Sequence, residues 1–79
     1  MSEREFSVFQ FFPDDSYECI KQFVDAKEAV ETARDFSQRP AAKIGIIREL
    51  RITDGGDFIV FQWKFGEGVV FPPEAAGRQ

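Results

Sequence analysis

Residues 43–65 constrain this chain more than any other stretch. They read as two alternating strands joined at Asp54-Gly55-Gly56-Asp57. Side chains alternate across a strand. A fold at Gly55-Gly56 therefore sets Ile52 opposite Ile59, Leu50 opposite Phe61, Arg48 opposite Trp63 and Ile46 opposite Phe65 on one face. The other face takes Thr53, Arg51, Glu49 and Ile47 opposite Phe58, Val60, Gln62 and Lys64. The first face is nearly all apolar and the second is mixed. The two glycines are expected to supply the positive φ of a tight hairpin. A one-residue slip would turn the apolar row to water, so the register is expected to be well specified.

A second hairpin precedes it. Residues 6–12 and 17–24 alternate around Pro13-Asp14-Asp15-Ser16, where proline sets φ and aspartate closes an Asx-turn. Folding at Asp14-Asp15 pairs Phe12 with Tyr17, Gln10 with Cys19, Val8 with Lys21 and Phe6 with Phe23. Neither face of this pair is cleanly polar, so its buried side stays open at this stage.

Asp25 has the position of a helix cap, with Glu28 at capping-box spacing. Ala26, Ala29, Val30, Ala33 and Phe36 or Ser37 form one stripe at helical spacing, which predicts a helix over residues 25–38. Pro40 ends it. Gly66-Glu67-Gly68 breaks the last strand, and residues 69–71 add at most a short extended piece. The expected class is α+β, in the order β-β-α-β-β: a four-stranded antiparallel sheet with one helix packed on one face. Residues 1–73 make one small domain, and residues 74–79, without a large apolar anchor, are expected to form a disordered tail.

Composition narrows the chemistry. The chain has no histidine, which removes the commonest general base and zinc ligand. A single cysteine, Cys19, excludes an internal disulfide and a multi-cysteine metal site. Asp54 and Asp57 read as turn residues before they read as cation ligands. Gly66-Glu67-Gly68 is followed by Val-Val-Phe-Pro-Pro, a poor helix start, so it lacks the setting of a phosphate loop. The expectation is a non-enzymatic protein with no metal and no cofactor.

The net charge of −4 opposes phosphate and makes bare nucleic acid a poor partner. Residues 39–51 nevertheless carry Arg39, Lys43, Arg48 and Arg51 against Glu49 alone. No apolar run approaches the length of a membrane span, and the first residues lack a signal-peptide layout, so a cytoplasmic location is expected.

Ten phenylalanines, with Trp63 and Tyr17, exceed what so small a core encloses. Ile47, Arg51, Phe58, Val60 and Lys64 are therefore the candidate interaction face, and a homodimer is its simplest use. Arg48 and Trp63 form a candidate cation–π pair, useful at the border of a core or of an interface. The alternative is a small-ligand or single-stranded RNA binder that stacks bases on sheet aromatics.

Three segments carry a resemblance: Ile-Thr-Asp-Gly-Gly-Asp at 52–57, Phe61-x-Trp63, and Gly66-x-Gly68-Val69-x-Phe71-Pro72. In these the C-terminal half resembles small uncharacterised alpha-proteobacterial proteins of unknown function. That resemblance implies no catalytic or binding residue.

Overall fold

The computed structural model describes residues 4–72. Strands β1 (Phe6–Phe11) and β2 (Tyr17–Val24) come first. Helix α1 (Ala26–Ser37) and a single helical turn, α2 (Pro40–Lys43), follow. Strands β3 (Glu49–Thr53), β4 (Ile59–Lys64) and β5 (Gly68–Phe71) complete the order. The strands form one antiparallel sheet in the order β2-β1-β3-β4-β5. The α+β class stands, but the sheet has five strands where four were expected. Gly66 and Gly68 take φ of 83° and 80°, which no β-branched or bulky residue would adopt comfortably, and so return the chain onto β4. The expected tail at 74–79 lies outside the described residues.

Helix α1 starts where its cap predicts. Asp25 Oδ1 accepts from the Glu28 N–H at 2.8 Å. Ala29 and Ala33 are fully buried, and their lack of bulk lets the helix lie close against β1, β2 and β3. Two clusters make the interior. Val8, Val24, Ile52 and Phe61 surround the alanines. Leu50, Ile47 and Ala42 form the second, with Trp63 and Ile20 touching both.

Both hairpins turn through three residues, not two. Asp15 N–H bonds the Phe12 carbonyl at 3.0 Å, and Phe12 N–H bonds Ser16 at 2.9 Å. The second turn repeats this: Asp57 N–H bonds Asp54 at 3.1 Å, and Asp54 N–H bonds Phe58 at 3.0 Å. The left-handed position falls on the third loop residue, Asp15 at φ 71° and Asp57 at φ 66°. Gly55 and Gly56 are therefore not the positive-φ residues expected of them. Aspartate serves because it tolerates the left-handed region better than most side chains.

The longer loop changes the second hairpin's register by one. A bulge at Val60 changes it by one more, so Leu50 meets Trp63 and Ile52 meets Phe61. Two odd slips sum to an even one. Leu50, Ile52, Phe61 and Trp63 thus keep their shared face although their partners differ from those expected. Ile59 lies between the two slips, opposite Thr53, and is turned away from the core in which it was expected. Ile46, also expected inside, is exposed because β3 begins only at Glu49. Pro40 opens α2 instead of leading into a strand, and Ile46 and Ile47 N–H groups both reach back to the Ala41 carbonyl.

In the first hairpin the three-residue loop pairs Phe11 with Tyr17, Gln10 with Glu18 and Phe9 with Cys19. Irregularities near Val8 then bring Val8 opposite Lys21, as expected, and Phe6 opposite Val24. Phe23 is the residue displaced. It holds φ at 58° and is 64% exposed. A bulky residue there carries left-handed strain of about 1–2 kcal/mol, with little burial to offset it. Phe23→Gly relieves that strain but adds chain entropy to the unfolded state, so it is expected to raise unfolding stability by about 0.5–1 kcal/mol in urea melts. A destabilised variant would show that the Phe23 ring contributes packing that outweighs the strain.

Candidate functional site

The sheet has two unlike faces. Val8, Leu50, Ile52 and Phe61 point toward α1. Their neighbours in sequence point the other way, so Phe9, Phe11, Glu49 and Arg51 share the opposite face. Among the described residues no helix packs there. Tyr17 joins it from β2, its ring 6.0 Å from Phe9 and 5.4 Å from Phe11. The Arg51 guanidinium lies 4.4 Å from the Phe11 ring centroid. Glu49 accepts from Arg51 and from Gln62 Nε2 across the strand. Partial burial works to raise the Glu49 pKa. Those hydrogen bonds, with the charges of Arg51 and Lys64, outweigh it, and the carboxyl titrates below the ordinary glutamate value.

The candidate interaction face is only partly brought together. Arg51 and Lys64 lie on the open face, Lys64 opposite Glu49. Ile47 does not: at 3% exposure it is core, carried inward by the turn after α2. Val60, 36% exposed, is swung by the bulge toward the helix side. There it lines a groove of about 450 Å³ with Phe6, Val30 and Phe61. Phe58 is exposed at the hairpin tip, its ring close to Gly56. The expected Arg48–Trp63 pair does not form, because Leu50 takes the place opposite Trp63. Arg48 lies 5.4 Å from the Phe65 ring centroid instead. Gly45 makes room for that ring: at φ 89°, its added Cβ would stand 3.2 Å from Phe65 Cζ.

Phe9, Phe11, Tyr17, Glu49 and Gln62 lie outside the interaction face expected from sequence. The turn chemistry was the missing signal. Pro at the second position and Asp at the fourth of Phe12-Pro-Asp-Asp fit a three-residue loop, and that register groups the three rings.

The second end of this face opens into a cleft of about 550 Å³ where β3 starts and β4 ends. Arg48, Arg51 and Lys64 line it with Phe11 and Phe65. Elsewhere, Asp54 Oδ1 is engaged by the Gly56 and Phe58 amides at 2.9 and 3.0 Å, which is a turn-closing role. Among the described residues no three Asp, Glu or Cys side chains gather as a metal-ligand group. No helix among them is long and apolar enough to cross a membrane.

In comparisons with family models, curated proteins and solved structures, nothing matches this chain.

Proposed function

We propose that this protein is a non-enzymatic interaction module that self-associates through the open sheet face. The observation that carries the reading is the ring cluster of Phe9, Phe11 and Tyr17, capped by Arg51, on a face that no described element covers. Aromatic residues and arginine are the types that anchor interfaces. The face also carries both signs of charge, Glu49 beside Arg51 and Lys64. A second copy related by a two-fold axis then meets complementary charges at its border. The absence of histidine and of a paired cysteine supports the non-enzymatic part.

Single-stranded RNA is the second reading. Arg51 already occupies one side of the Phe11 ring, where a base would stack, and the net charge of −4 opposes phosphate.

Tyr17 is 64% exposed, so its replacement tests the interface without disturbing the interior. Light scattering of the wild type at high micromolar concentration is expected to give a dimer mass. Tyr17→Glu is expected to give a monomer with unchanged circular dichroism. A wild-type monomer, or a Tyr17→Glu dimer of undiminished affinity, would refute the reading.

A further inference from the structure

We propose that the cleft at the end of the open face is a binding site for a small organic anion, an aromatic ring bearing a carboxylate or phosphate head. This goes beyond self-association and does not require it. The cleft shares Phe11, Arg51 and Lys64 with the proposed interface, so a bound anion is expected to compete with the second copy and to bind the monomer. Three cationic side chains from the β3–β4 region line one cleft: Arg48, Arg51 and Lys64. Its volume of about 550 Å³ falls within the usual range for small-molecule sites. Formally the acids Asp15, Glu49 and Glu67 balance these charges. They are not equally disposed to do so. Glu49 is held by Arg51 and Gln62, and its depressed pKa reflects that engagement. Asp15 and Glu67 sit on exposed turns. Arg48 and Lys64 have no carboxylate partner within 4.0 Å among the described residues.

The ring requirement comes from the walls. Phe65 and Phe11 line the same cleft, each with an arginine against it. Arg48 is 5.4 Å from the Phe65 centroid, looser than Arg51 at 4.4 Å from Phe11. Arg48 is thus the more available guanidinium, able to turn its donors to an anionic head while a ligand ring packs on Phe65. A guanidinium binds carboxylate or phosphate through paired N–H donors, and lysine adds a point charge.

The test uses the full chain and phenyl phosphate and benzoate as probes, with inorganic phosphate for comparison. Amide shifts are followed by NMR. At least one ring-bearing probe is expected to move Arg48, Lys64 and Phe65 saturably at millimolar concentration, and to bind more tightly than inorganic phosphate. Arg48→Gln is expected to weaken it about tenfold or more, the loss of one charge-assisted contact. Lys64→Gln supplies a second reading should Arg48→Gln perturb the fold. Arg39→Gln is the control. Arg39 also stacks on a phenylalanine, Phe36 at 3.8 Å, but lies outside the cleft. It is expected to change nothing. No saturable shift with either ring probe, equal affinity for inorganic phosphate, or equal loss in the Arg39 variant would overturn the proposal. Tyr17 does not line the cleft, so Tyr17→Glu leaves its walls in place. Its monomer is expected to keep the probe, which separates failure of this site from failure of the dimer.

Discussion

Phe61→Glu is expected to unfold the domain, whereas Val60→Glu, one position away, leaves it folded. Phe61 is 8% exposed and packs with Ile52, Ala29 and Ala33 beneath α1. Removing so large a buried ring costs about 3–5 kcal/mol. Placing a carboxylate in its stead adds several kcal/mol or forces the acid to remain protonated. A domain of this length has a total stability on the order of 4–12 kcal/mol. The loss therefore matches or exceeds what holds the fold. Val60 faces the same side because of the bulge, yet it lines an open groove and retains contact with water. Its glutamate can stay solvated. Far-ultraviolet circular dichroism with thermal melts distinguishes the two. A Phe61→Glu protein with a native melt would contradict the placement of the Phe61 ring in the core cluster with Ala29 and Ala33.

Leu50→Ala is expected to cost about 2–5 kcal/mol, the range for emptying a close-packed leucine site. Leu50 is among the largest side chains with no exposure at all. It lies on β3, between β1 and β4, opposite Gln10 on one side and Trp63 on the other. Neither neighbouring strand is free to close the gap, since each is hydrogen-bonded along its length. In a domain of this size each kcal/mol moves the melting temperature by roughly 4–8 °C. Urea titration gives the free energy directly. A loss below about 1 kcal/mol would mean that the site collapses around the alanine, against the packing inferred for it.

The two hairpins show how far local pattern reaches. Alternation placed Leu50, Ile52, Phe61 and Trp63 on one face, and they share it. It also pairs each with the wrong partner, because alternation alone implies a two-residue loop where the chain uses three. The error was hidden by the Val60 bulge, which added a second slip in the same direction. No bulge compensates Ile59, which lies between the slips, and its expected place in the core was lost. The aromatic face was unreadable for a related reason. Phe9, Phe11 and Tyr17 group only when Phe11 meets Tyr17, and a two-residue turn at Asp14-Asp15 sets Phe12 there instead.

The cleft was legible only in part. Two of its three basic residues, Arg48 and Arg51, belong to the excess of positive charge over residues 39–51. That Arg48 meets Phe65, and that Lys64 joins it from β4, requires the pairing of β3 with β4.

By itself the sequence determined the helix, its Asp25 cap, the turn positions and the absence of histidine chemistry. Each of these depends on residues within a few positions of one another, where capping, φ preference and side-chain period act directly. Tertiary structure alone decided that β1 pairs with β3, that Ile47 is core, and that Val60 turns toward the helix. These depend on contacts between distant segments, in which a displacement of one residue reverses the side that every following side chain presents.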